Sequence, residues 1–180
     1  MEANEFWSLI GKSRQGAGHS CEAQADWLKE NLIGLGKEAI IGFENNLLNQ
    51  ISRVETFDHL AAHFMIESYT SDDTFKDFQS WLVMQGQERF ENAQKDVSTI
   101  ADWLERDEVE KIDGGCFVTL CSSAYEEAGG DEDEFYDKVE FSDTPDFDMP
   151  WPDDKEGFES RWPKLCAKFW NQERIDEIHA

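Results

Sequence analysis

The stretch Ser71–Phe90, S-D-D-T-F-K-D-F-Q-S-W-L-V-M-Q-G-Q-E-R-F, constrains the fold more than any other part of the chain. Phe75, Phe78, Leu82, Gly86 and Phe90 fall three or four residues apart, which lays one apolar stripe along a helix. Ser71 supplies an N-cap hydroxyl. Asp72 and Asp73 follow, where the positive end of the helix dipole favours carboxylates. Gly86 lies within the stripe, although glycine costs a helix interior about 1 kcal/mol against alanine. The pattern therefore predicts one helix across the stretch, with a second helix backbone passing close at Gly86.

Helical spacing continues on both sides. Asn4 can cap a first helix carrying Phe6, Trp7 and Ile10, and Ser20 a second carrying Ala23, Trp27, Leu28 and Leu32. Ile40, Phe43, Leu47 and Ile51 mark a third. Thr56 opens a fourth over residues 57–69, apolar on two faces and hence central. Asp96 or Ser98 caps a sixth. Gly114-Gly115 breaks the chain before a seventh element, Cys116 to Ala128, and Pro163 stands at the first position of a last helix. No pair of alternating strands interrupts this pattern. The expectation is one all-α domain over residues 1–180, a helical bundle of seven to eight helices. Its core is the 57–69 and 71–90 helices, and a long, acidic, irregular C-terminal segment lies across it.

The Ser71–Phe90 block and Phe6-Trp7-Ser8-Leu9-Ile10 near the N-terminus together resemble the signature of the bacterial DUF4240 family. There an S-D-D-x-F…F…W-L…G…F block follows an F-W-x-L-I block. The resemblance covers the first two-thirds of the chain and implies a small, mostly helical domain. The family carries no assigned activity, so the resemblance transfers no catalytic residue.

Hydrophobic residues make up 39% of the chain and aromatics 13%, enough for a packed core despite a net charge of −24. That charge argues against nucleic acid and anionic membranes as partners, and it permits a basic protein. No apolar run is long enough to span a bilayer, and Met1–Glu5 lacks the basic and apolar regions of an export signal. Cys21, Cys116, Cys121 and Cys166 form no C-x-x-C pair, which argues against structural zinc. They read as reduced thiols in a cytoplasm.

Composition changes between Glu126 and Glu159. Fifteen acids face Lys138 and Lys155 alone, and aromatics are threaded among them. Either the aromatics staple a long loop onto the helices, or the segment is a binding surface. In the second case carboxylates steer a basic partner and aromatics anchor it. The candidate partner-binding residues are Asp131, Asp133, Phe135, Tyr136, Phe141, Asp146, Phe147, Asp148, Trp151, Asp153 and Asp154. The leading expectation is a non-catalytic protein without cofactor that engages a basic partner, as an immunity protein engages a bacterial toxin. The second is an enzyme, or a small-ligand or metal-binding protein, with a core pocket using Asp72, Asp73, His59 and His63.

Motifs for chemistry are sparse. His59, His63 and Glu67 recur every four residues, which sets two imidazoles and a carboxylate on one helix face, the geometry of a zinc or iron site. The H-E-x-x-H pattern is absent, since Leu60 follows His59. Asp131-Glu132-Asp133 fails as an EF-hand, because Phe135 and Tyr136 replace its ligand and its glycine. No nucleophile elbow or phosphate-cradling loop is present.

Overall fold

A computed structural model describes residues 1–18, 20–141, 147 and 150–178. Among the described residues there are thirteen α-helices and no strand, so the all-α expectation holds. They are α1 (Ala3–Ala17), α2 (Cys21–Leu35), α3 (Lys37–Arg53), α4 (Phe57–Glu67), α5 (Asp72–Met84) and α6 (Gln87–Lys95). Short elements follow: α7 (Ile100–Trp103), α8 (Gly115–Val118), α9 (Leu120–Glu127), α10 (Glu132–Lys138), α11 (Lys155–Arg161), α12 (Pro163–Phe169) and α13 (Gln172–Ile178). Two 3₁₀ turns, Val97–Thr99 and Arg106–Lys111, flank α7.

Two broken helices account for part of the excess over seven to eight, and α10, α11 and α13 for the rest. The Ser71–Phe90 stretch divides at Gly86, which adopts φ +94°, a left-handed value open to glycine. A Cβ there would have room, its nearest neighbour being Arg14 Cδ at 3.8 Å. Gly86 thus supplies a chain reversal, where the stripe predicted a close helix contact. The expected 116–128 element likewise splits at Thr119, whose φ −107°, ψ 5° lies outside the helical region. α10 falls inside the segment expected to be irregular, and α11 begins inside it.

Most predicted caps are present. The Ser71 hydroxyl accepts from the Thr74 amide, and the Thr74 hydroxyl accepts in return from the Ser71 amide. The Thr56 and Ser20 hydroxyls cap α4 and α2 by accepting from the His59 and Ala23 amides. At the N-terminus Glu2 replaces the expected Asn4.

The core forms around α5, where Phe75 and every residue from Phe78 to Met84 are buried. α4 lies beside it, with the His63 ring stacked 4.9 Å from that of Phe78. α1 and α3 add Phe6, Ile10, Ile40 and Phe43, all fully buried. Such large side chains each contribute about 1.5–3 kcal/mol on burial, against the cost of ordering the chain. At the C-terminal end Trp151 packs edge-on against Phe57, Phe64 and Phe158, at 5.3–5.6 Å.

The cysteines correct the reading of four reduced thiols. Cys21, the first residue of α2, forms a disulfide with Cys116 on α8, with Cα atoms 6.2 Å apart; Cys121 and Cys166 are free and buried. The bond closes a loop of 95 residues, so no local spacing announces it. Among the described residues no helix is long and apolar enough to cross a membrane.

Candidate functional site: a cavity beneath the acidic segment

α3 presents an acid on its buried face. Glu44 stands four residues after Ile40 and three before Leu47, and it is buried with them. It lines a cavity of about 340 Å³ together with Leu47 and Ile51 of α3, Gln79 and Ser80 of α5, and Phe117 and Val118 of α8. Tyr136 of α10 and Phe141 complete the wall, their rings stacked 6.3 Å apart. The Glu140 amide donates to Asn45 Oδ1 at 2.9 Å, which pins this part of the acidic segment to α3.

Burial pushes the Glu44 carboxyl up to about 7, against a smaller lowering by a hydrogen bond from the Cys121 thiol. Burial, and then Glu44, pushes that thiol up as well. Glu44 Oε2 and Gln79 Nε2 are buried without a hydrogen-bond partner. A mainly apolar cavity with a few convergent polar groups and a shifted carboxyl is the usual form of a binding site. Its mouth carries the exposed apolar side chains Val118, Tyr136 and Phe141, at 53%, 46% and 63%, beside Ser52, Glu55 and the exposed Lys76.

The family model for DUF4240, a protein of unknown function, matches residues 1–127. The chain belongs to the DUF4240 family. No curated protein and no solved structure matches it. In this DUF4240 protein the matched stretch ends with α9, so Glu44, Gln79 and Val118 lie within it and Tyr136 and Phe141 beyond it.

The candidate partner-binding residues are not gathered on one surface patch. Tyr136 and Phe141 rim the cavity, while Trp151, Asp153 and Asp154 line a separate groove with Phe64 and Trp170. Phe135 is buried against Tyr125, with centroids 5.5 Å apart, which removes it as a partner anchor. Phe147 is half-buried, edge-on to Phe75. Asp131 caps α10 by accepting from the Asp133 and Glu134 amides, and Asp154 caps α11 by accepting from Gly157. Asp133 and Asp153 are exposed. Asp146 and Asp148 lie outside the described residues.

In the candidate metal set, both ring nitrogens of His59 are already engaged. Its Nε2–H donates to the Ala93 carbonyl at 3.1 Å, and Nδ1 accepts from the Thr56 hydroxyl at 2.7 Å. No ring nitrogen remains for an ion. Burial pushes the His59 pKa down to about 4, with the Ala93 carbonyl and Asp58 opposing it. His63 Nδ1 meets the Thr70 hydroxyl at 2.9 Å, and its Nε2 lies 3.3 Å from Glu67. Cys21, Asp113 and Cys116 do bring potential ligand atoms within 4.8 Å, but both sulfurs are bonded to each other. Asp72 and Asp73 form the exposed first turn of α5, and neither they nor His59 and His63 line the cavity. The cavity's own acid was the missed signal: Glu44 is a charged residue on the apolar stripe of α3.

Proposed function

We propose that this DUF4240 protein is a non-catalytic binding protein that engages a basic protein partner, one side chain of which enters the Glu44 cavity. The carrying observation is the grouping of exposed Val118, Tyr136 and Phe141 around the mouth of that cavity, in a chain of net charge −24. Exposed apolar side chains scattered singly need no explanation, whereas a group around a cavity marks an interaction site. Tyr136 and Phe141 are the aromatic anchors, and the surrounding carboxylates steer the partner. A lysine or arginine suits the cavity, because its methylene stem would lie along Leu47 and Ile51 while Glu44 and Glu55 face its charge and outnumber Lys76. Neutralisation of a toxin in a bacterial cytoplasm is the setting that this reading favours.

The test is affinity capture from the native host's lysate at low and high salt, with the wild type and a Tyr136→Ala/Phe141→Ala variant. A basic protein should bind the wild type, associate more slowly at high salt, and bind the variant at least about tenfold more weakly. Equal capture by the variant would sink the reading. One observation favours a second reading: Glu44 Oε2 and Gln79 Nε2 offer an acceptor and a donor to an amide-like small ligand. An empty eluate at both salts would favour that ligand over a protein.

A further inference from the structure

The Cys21–Cys116 disulfide lies beside a carboxylate that the bond itself does not need. The two sulfurs and an oxygen of Asp113 all fall within 4.8 Å of one another. Cys21 and Cys116 are half-buried, and Asp113 is exposed in the loop before α8, so solvent reaches the group.

Separate devices hold the three residues. Ser20 caps α2 by accepting from the Ala23 amide, which fixes Cys21 in the first turn. There the positive end of the helix dipole favours a negatively charged side chain. Asp113 Oδ1 accepts from the Gly115 amide at 3.0 Å, a turn that holds the carboxylate at the start of α8. Gly114 seats the same turn on the Asp77 carbonyl and the Trp81 amide of α5. The Asp77 carboxylate is close as well: a Cβ on Gly115 would lie 3.4 Å from Asp113 Oδ1 and 3.7 Å from both Asp77 oxygens. Neither Asp77 nor Asp113 forms an ion pair among the described residues. A structural disulfide accounts for the two sulfurs. It does not account for the acid set against them.

We propose that the reduced pair, together with Asp113, binds a thiophilic divalent cation of the zinc class, so that bond and ion are alternative occupants of one site. Two thiolates and a carboxylate select zinc over magnesium or calcium, which take oxygen ligands. Zinc–sulfur bonds of about 2.3 Å set two thiolates roughly 3.8 Å apart in a tetrahedron. The ligand atoms already lie within 4.8 Å of one another, so side-chain rotation suffices. Three protein ligands leave the fourth position to water. In the reducing step a thiolate of a small dithiol attacks the disulfide, a mixed disulfide forms, and the reductant leaves as its own cyclic disulfide. The protein pair gains two electrons and two protons, and the metal displaces those protons on binding. All three residues lie within 1–127, the stretch matched by the family. The proposal is independent of the Glu44 cavity.

The probe is cobalt(II), followed by zinc in competition, added to the full-length protein after reduction with a phosphine and desalting without oxygen. Thiolate-to-cobalt charge transfer in the near ultraviolet reports the ligands directly. The reduced wild type should saturate at one ion per chain and lose its band to zinc, and the oxidised protein should show no band. Asp113→Asn keeps an acceptor for the Gly115 amide and removes the charge, so a purely structural role would survive it. It should weaken cobalt binding at least about tenfold. Cys21→Ser should abolish the band, while a Cys121→Ala/Cys166→Ala variant should keep it. An absent or non-saturating band in the reduced wild type would overturn the site, as would an equal band in the oxidised protein. Unchanged affinity in Asp113→Asn would overturn the ligand set, and loss of the band in the Cys121→Ala/Cys166→Ala variant would place the ion elsewhere.

Discussion

Replacing Gly114 with alanine is expected to destabilise the protein by about 3 kcal/mol, read as a fall of roughly 10 °C in Tm. A Cβ on Gly114 would overlap the Asp77 carbonyl oxygen and lie 2.7 Å from the Asp77 carbonyl carbon and 2.8 Å from the Trp81 amide nitrogen. All three are backbone atoms of α5, so no rotamer change relieves the contact. Either α5 bends or α8 lifts away. α8 carries Cys116 of the disulfide, the buried Phe117 and the cavity residue Val118, and lifting it disturbs all three. Gly115→Ala is the control. Its Cβ would meet Asp113 Oδ1 at 3.4 Å and the Asp77 carboxylate at 3.7 Å, so its effect should stay within about 0.5 kcal/mol. Thermal and urea unfolding of the two variants would measure the difference. A Gly114→Ala protein as stable as Gly115→Ala would mean that α8 is not seated on α5.

This contact also marks the limit of what the sequence shows. The pattern predicts a backbone approach at Gly86 and only a break at Gly114. The structure places the approach at Gly114 and the reversal at Gly86. Glycine permits both a missing Cβ and a positive φ, and neither periodicity nor composition tells them apart. Caps such as Ser71, Thr56 and Ser20 were legible because their chemistry lies within four residues. The Cys21–Cys116 bond spans 95 residues and leaves no local trace. In the acidic segment the mixture of acids and aromatics was plain, but not its division. Phe135 turns into the core and its neighbour Tyr136 toward solvent, on a helix too short to show a period. The cavity draws on α3, α5, α8 and α10, whose adjacency is a tertiary fact. Its acid, Glu44, is a charge on an apolar stripe, a pattern visible in the sequence, whereas the ligand-type residues His59 and His63 lie outside the cavity.

Two buried titratable groups, Glu44 and His59, give the second large effect, and they act in opposite directions. Glu44 titrates near 7 in the folded chain and near 4.5 when unfolded. Between those values the folded state keeps a proton that the unfolded state releases, so rising pH removes stability, about 3 kcal/mol across the window. His59 titrates near 4 when folded and near 6.5 when unfolded. Between pH 4 and 6.5 the unfolded state holds the extra proton, so rising pH adds about 3 kcal/mol. From pH 4.5 to 6.5 the two slopes oppose each other and largely cancel, which hides both groups in the wild type. Glu44→Gln should unmask His59: its stability relative to wild type should grow from pH 4.5 and level off above 7, at a gain of up to about 3 kcal/mol. His59→Gln should unmask Glu44, and its stability relative to wild type should decline as pH rises from 4 to 6.5. Urea titrations at half-unit pH intervals would trace both difference curves. Parallel curves for Glu44→Gln and wild type would show that Glu44 is not buried as the fold places it. The same carboxyl links stability to the proposed binding, because a cationic side chain entering the cavity would lower the Glu44 pKa and release its proton. Buffers of different ionisation enthalpy should then report proton release on binding near pH 6 that fades above pH 8.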